Sequence, residues 1–328
     1  MALPIYFAPL QGYTEDVYRR AHAACCGGVD EYYTPFMRVE HGEVRKKDCL
    51  DIRPAFNLGV PLALQFIARD GEEMRVLLEA VERQREEWNE NEQISADSRT
   101  TWADADRIHI DLNMGCPFPL QVKHGRGAGI LPHIDKVEEI CRLMALHPEY
   151  DFSVKMRLGV DGSDEWSRVI ALLNDAPLRH ITLHPRVARQ QYKGTPDLDA
   201  FAAFAEVCRH PLVYNGDLMT VEDISHIEGM FPSLKGLMIG RGLLARPTLA
   251  LEYRTGVHAT DREVVDKLLE LHESVRRHYV AQIPGEAQQL AKLRTFWDYA
   301  EPTIGHKAWK KMHKAGNMHN YMQAVGEL

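Results

Sequence analysis

The chain has 328 residues, 45% of them hydrophobic and 26% charged, a balance that excludes a disordered or fibrous protein and allows a large core. Its net charge of −8 excludes a protein that coats itself with nucleic acid, although the charge is unevenly spread. No run of about 18 apolar residues is present, and Met1–Leu10 carries neither a basic segment nor a cleavage signal. No membrane contact and a cytoplasmic location are therefore expected.

Short β-type runs alternate with longer amphipathic ones, the pattern of βα units around a parallel sheet. In chain order the strands fall near Ile5–Ala8, Tyr32–Met37, Leu62–Ile67, Ile108–Leu112, Phe152–Met156, His180–Leu183, Leu212–Tyr214 and Gly236–Ile239. Helical periodicity lies between them, as at Glu72–Gln84, Val137–Leu146 and Glu222–Gly229. Eight such units predict a closed (β/α)8 TIM barrel over residues 1–256. The alternative is an open doubly wound sheet, but no GxGxxG follows the first strand. The acidic, aperiodic stretch Arg85–Asp106 reads as an inserted, mobile surface loop.

After Gly256 the strand pattern stops. Val264–Ala281, Gly285–Tyr299 and Lys307–Val325 read as helices of a small C-terminal domain, 257–328, punctuated by Pro284-Gly285 and Pro302–Gly305. Between Arg276 and Tyr321 eight Lys or Arg face three acids, which suits either a solvated helix face or a phosphate-binding surface. The six cysteines (Cys25, Cys26, Cys49, Cys116, Cys141, Cys208) form no CxxC pair and suit a reducing compartment; no spacing supports zinc.

In a TIM barrel, polar residues at the C-terminal ends of strands build the site. Here the strands run into Pro9-Leu10-Gln11-Gly12, Arg38, Gln65, Asn113-Met114-Gly115-Cys116-Pro117, Lys155 with Arg157, His184, Asn215-Gly216-Asp217 and Gly240-Arg241-Gly242. The last two turns occupy the positions where barrels hold phosphate, with glycines that let backbone N–H groups approach an anion. Lys155 lies within an apolar strand and needs an anionic partner, either a bound ligand or a barrel carboxylate. Cys116, between a glycine and a proline just past a strand, is placed for chemistry as a proton donor or as a nucleophile; His124 and His184 are candidate activating bases.

Taken together, Ala-Pro-Leu-Gln-Gly, Leu-Gln-Phe, Asp-Leu-Asn-Met-Gly-Cys-Pro, Val-Lys-Met-Arg-Leu-Gly, Leu-His-Pro-Arg, Tyr-Asn-Gly-Asp and Met-Ile-Gly-Arg-Gly resemble, in order and spacing, the tRNA-dihydrouridine synthases. The resemblance covers residues 4–245 and, more loosely, the helical tail. It implies a barrel that binds FMN, is reduced by NADPH and acts on the D-loop of tRNA; a monomer is expected because the tail must leave the barrel mouth open to a large RNA. Pro9, Leu10 and Gln11 would line the flavin, Gln65 would hydrogen-bond its ring, Lys155 would hold the N1/O2 edge, and His184 would touch the cofactor. Asn215, Gly216, Asp217, Gly240 and Arg241 would hold the phosphate. Asn113 and Arg157 would orient the uridine, N5 of the reduced flavin would deliver hydride to C6, and Cys116 would protonate C5. Arg38 and Tyr192 match substrate-side positions of the subgroup acting on uridine 16, and Lys292 and Arg294 match positions that grip the tRNA body.

The chain departs from the family pattern at Leu10, where methionine is common, at Pro119, where many relatives carry lysine, and at Pro185, where glycine is usual. Two other readings fit parts of the pattern. One is an FMN-dependent barrel reductase of a small molecule, of dihydroorotate or enoate type. The other is an RNA-binding protein without turnover.

Overall fold

The computed structural model describes residues 2–91 and 100–328. Eight parallel strands close into a barrel: β1 (Ile5–Phe7), β2 (Glu31–Tyr33), β5 (Leu62–Phe66), β6 (Ile108–Met114), β7 (Tyr150–Gly159), β8 (Leu178–Val187), β9 (Leu212–Tyr214) and β10 (Gly236–Ile239), with β10 pairing back onto β1. The remaining two, β3 (Val39–Glu40) and β4 (Glu43–Val44), form a hairpin beyond β2. Its two turn residues, His41 and Gly42, both have positive φ (53° and 83°). That is the backbone of a two-residue hairpin whose twist matches its strands. The predicted second strand is shorter than expected, and Met37 keeps only an isolated bridge to Phe66.

Strand alternation sorts the side chains. On β7, Phe152, Val154, Met156 and Leu158 join the large core between strands and helices. The intervening Ser153, Lys155 and Arg157 face the barrel axis, where Tyr6, Ala8, Tyr33, Ala63, Val213 and Met238 form a separate, small apolar cluster. Both β7 and β8 run ten residues, longer than the sequence pattern suggests. The added length carries Arg157 and His184 up to the barrel mouth as register partners, just as Asn113 partners Lys155 one strand over.

The helix Gly71–Asn91 continues past the predicted end at Gln84, so the start of the expected insert is helix rather than loop. Residues 92–99 of that insert lie outside the described residues. Trp102 returns the chain to the core, buried and donating from Nε1 to the Ile52 carbonyl at 2.7 Å.

After Gly256 the helices Asp261–Gln282, Glu286–Thr295, Glu301–Ile304, His306–Lys314 and Met318–Val325 follow. Their apolar faces share one continuous core with the barrel helices, through Leu268, Leu271, Val275, Leu293 and Trp297. The Tyr321 hydroxyl ties this part together. It sits 2.6 Å from His272 Nε2, accepts from Trp297 Nε1 at 2.8 Å and donates to the Leu293 carbonyl at 3.0 Å. A buried hydroxyl with all its bonds made is costly to replace, because each partner would be left unsatisfied. Among the described residues, no helix is long and apolar enough to cross a membrane.

Candidate active site

A cavity of about 600 Å³ opens at the C-terminal ends of the barrel strands, in the size range of cofactor sites. Pro9, Leu10 and Gln11 line it from the turn after β1, and Asn113 and Cys116 from the end of β6. Lys155 and Arg157 enter from β7, His184 from β8, and Tyr192 from the segment beyond. Asn215, Gly216 and Asp217 close it after β9, and Gly240 and Arg241 after β10. Fourteen of the eighteen residues singled out above therefore meet on one wall or another of the same space.

The charge balance of the cavity is strongly positive. Lys155 makes no hydrogen bond or salt bridge with any described residue, and burial, followed by the neighbouring Arg157, pulls its pKa from 10.5 to about 8. Arg186, fully buried, donates from Nη1 to Asp217 Oδ1 at 2.9 Å and pairs its other nitrogen with Oδ2. Arg241 reaches Asp217 Oδ1 at 2.6 Å from the other side. Burial raises the Asp217 carboxyl, but the Arg186 hydrogen bond and the two guanidinium charges bring it below the ordinary value. Asp217 holds this position with φ of 42°, a left-handed conformation that aspartate tolerates better than most residues. Tyr192 lies between guanidiniums, 4.8 Å from that of Arg241 and 5.5 Å from that of Arg157.

Burial pushes the Cys116 thiol up, with Arg157 and Lys155 opposing only in part. No histidine hydrogen-bonds the sulfur. His124 is exposed and off the cavity, and His184 is held well below its ordinary pKa by burial and by Arg157, Lys155 and Arg186. Of the two roles considered, the protonated donor fits this setting and the base-activated nucleophile does not. The thiol rides on a tight turn. Asn113 Oδ1 accepts from the backbone N–H groups of Gly115 (3.0 Å) and Cys116 (2.8 Å). Gly127 passes so close that a Cβ there would sit 2.7 Å from the Cys116 Cβ, and its φ is 60°.

Four of the residues singled out do not line the cavity. Gln65 does not wall the cavity; it is fully buried one layer beneath, donating to Asp111 Oδ2 at 2.7 Å and accepting from Asn113 Nδ2 at 2.9 Å. Arg38 lies outside the cavity lining and pairs with Glu40 of the hairpin. Lys292 bonds Glu15 at 2.9 and 3.1 Å, so it fastens the tail to the barrel instead of facing outward. Arg294 turns inward to the Ala315 carbonyl. The tail's open cations are instead Lys307, Lys310 and Lys314 on the helix His306–Lys314, exposed and without a salt bridge among the described residues. The short helix after β10, Arg241–Ala245, offers too little macrodipole to hold an anion alone, which leaves that task to N–H groups and Arg241.

The sequence reading also missed residues. Arg186 stood in a quoted motif with no role. Tyr299, from the tail, and Tyr13 both line the cavity and meet edge to face at 5.0 Å, while the Tyr13 hydroxyl donates to Asp298 at 2.8 Å. No local signal links positions 13 and 299; only the docking of the tail does.

A closed barrel with a polar, cationic cavity at the strand C-termini defines a TIM-barrel enzyme. The structure of histamine dehydrogenase from Rhizobium sp. 4-9 shares the fold, with a TM-score of 0.50 and 11% identity over 83% of this chain and 48% of that one. The dihydrouridine synthase model matches residues 6–324, and the chain belongs to that family of oxidoreductases. It is 27% identical to the tRNA-dihydrouridine(16) synthase of Pseudomonas syringae over 92% of both chains. It is 31% identical to a tRNA-dihydrouridine(47) synthase [NAD(P)(+)]-like protein of Xenopus tropicalis over 45% of this chain, and spans only 23% of that protein's length.

Proposed function

We propose that this chain reduces the C5=C6 bond of a uridine in the D-loop of tRNA, with FMN as cofactor, NADPH as its reductant and Cys116 as the proton donor. The observation that carries the reading is the meeting, in one cavity, of a protonated thiol and a half-buried ammonium that has no hydrogen bond or salt bridge among the described residues.

The donor set fits a phosphorylated flavin. Lys155 lacks an anion that a reduced flavin's N1/O2 edge would supply. Gly240 lies against Ala8 and Leu10, where a Cβ would come within 3.3 Å of both. Arg241 and the N–H groups of the turns after β9 and β10 suit the phosphate. When bound, reduced FMN supplies the hydride that uridine C6 receives.

The chain's own residues do the rest. A uracil must leave its stack to reach the cavity. Asn113 and Arg157 present donors that orient the base and stabilise charge on its carbonyl edge. Cys116 holds its proton until C5 needs it, and burial keeps it protonated at neutral pH. His184 from β8 and Tyr192 from the segment after it bound the site. The segment 257–328 is read as the tRNA-holding domain, with Lys307, Lys310 and Lys314 toward phosphates. Position 16 is supported by the name of the Pseudomonas syringae relative, which this chain matches over 92% of both chains. The protein is read as a cytoplasmic monomer.

The test is anaerobic: reduce the purified holoprotein, then add tRNA lacking dihydrouridine. Rapid flavin reoxidation with that tRNA, and none with fully modified tRNA, supports the reading. A reducible flavin that ignores tRNA points to the small-molecule reductase instead.

A further inference from the structure

We propose that Asp111 is a positioning residue for Cys116: its carboxylate sets the donor–acceptor polarity of Gln65 and Asn113, and so holds the turn that carries the thiol. Asp111 sits on β6 inside the barrel with no exposed surface, and nothing in the reaction as read above uses it. Its Oδ2 accepts from Gln65 Nε2 at 2.7 Å. An amide that turns its nitrogen to a carboxylate must turn its oxygen elsewhere. Gln65 Oε1 accordingly accepts from Asn113 Nδ2 at 2.9 Å. Asn113 is then left with its oxygen toward the turn, accepting from Gly115 and Cys116. Flipping either amide would set N–H against N–H at one end and oxygen against oxygen at the other, so the Asp111 acceptor at one end and the Gly115 and Cys116 donors at the other demand the same polarity throughout.

The chain continues below. Asp111 Oδ1 lies 2.6 Å from Ser153 Oγ, Ser153 Oγ lies 2.9 Å from His109 Nε2, and His109 Nδ1 lies 2.8 Å from Glu31 Oε1. Ser153 occupies Oδ1 as a donor, which leaves Oδ2 to accept from Gln65. A consequence for recognition follows, resting on the proposed reaction. The Asn113 oxygen is committed to the turn, so the group it can offer the cavity is an N–H, which matches a pyrimidine carbonyl and not an imide N–H.

Two pairs of variants of the full-length holoprotein test this, read by the rate of Cys116 alkylation by iodoacetamide without tRNA and by tRNA-dependent flavin reoxidation. Gln65→Glu sets carboxylate against carboxylate and is expected to shift alkylation by about 10-fold and slow reoxidation by about 100-fold. Asp111→Asn/Gln65→Glu restores a donor to the first link and is expected to recover most of both losses, about 10-fold or more in reoxidation, where a merely structural Asp111 predicts no recovery. Asp111→Leu is expected to shift alkylation as Gln65→Glu does, with Asp111→Asn, which keeps an acceptor oxygen, closer to wild type. If Gln65→Glu fails to fold and the double variant folds, the rescue stands in the folding itself. A folded double variant no better than Gln65→Glu, or a folded Asp111→Leu with wild-type alkylation, overturns the proposal. Alkylation needs no turnover, so a wild-type protein that ignores tRNA would sink the proposed reaction and leave this proposal standing.

Discussion

Arg186 donates from Nη1 to Nε2 of His184 at 3.1 Å. A guanidinium has only donors, so His184 Nε2 must accept and the ring's single proton rests on Nδ1. Arg186 thus fixes a tautomer while it braces Asp217. Replacing Arg186 by Met is expected to cost about 3 kcal/mol of stability, because it leaves buried acceptors and part of a carboxylate uncompensated. Chemical denaturation together with the flavin content of the purified protein checks this; a variant with wild-type stability and full flavin content would refute it.

Cys116→Ala is expected to leave flavin reduction by NADPH intact and to slow reoxidation by tRNA about 100-fold or more, the usual scale of general acid catalysis. Stopped-flow absorbance separates the two half-reactions. Equal loss in both would place Cys116 in cofactor binding instead.

Lys155 keeps its charge below about pH 8 and loses it above. An anionic ring edge beside it raises that value, so affinity for reduced FMN is expected to weaken only above pH 8. Lys155→Met should flatten the dependence. The same burial means that charged Lys155 opposes folding in the ligand-free protein at every pH below its ordinary 10.5. Lys155→Met should therefore raise Tm while lowering flavin affinity, and a lowered Tm with unchanged affinity would contradict both halves.

Lys307, Lys310 and Lys314 share one exposed helix. Converting all three to Ala is expected to weaken tRNA binding at 50 mM salt and to reduce the log–log salt slope by about 2–3, on a scale of about 0.7–0.9 per lost phosphate contact. Lys292→Ala should instead lower stability, through Glu15, with the salt slope unchanged. Filter binding across a salt series would expose the reverse ranking if it holds.

His22 and His272 are buried, and that burial takes each to a pKa of about 4. Each is neutral in the fold and protonates near 6.5 once unfolded. Stability is therefore fully present above pH 6.5 and is lost as pH falls toward 4, by up to about 1.4 kcal/mol per unit for each histidine. Denaturation midpoints at pH 7.5, 6 and 5 measure the slope. A flat profile would mean that one or both rings take up a proton inside the fold.

Much of this was legible because it is local. Strand periodicity and the turns that end each strand are properties of neighbouring residues, so the barrel, Cys116, Lys155 and the glycine turns at Gly216 and Gly240 could be read directly. The amino-acid sequence by itself determined which chemical groups the barrel rim would carry. Only the tertiary structure decided which of them face the cavity and which face each other. Gln65 went one layer down because strand register set it beside Asp111. Lys292 and Arg294 turned inward because buried or half-buried acceptors, Glu15 and the Ala315 carbonyl, were waiting where the tail docks. Tyr299 joined Tyr13 across 286 positions for the same reason. Such partners are chosen by packing between distant segments, and a pattern of neighbours along the chain holds no record of it.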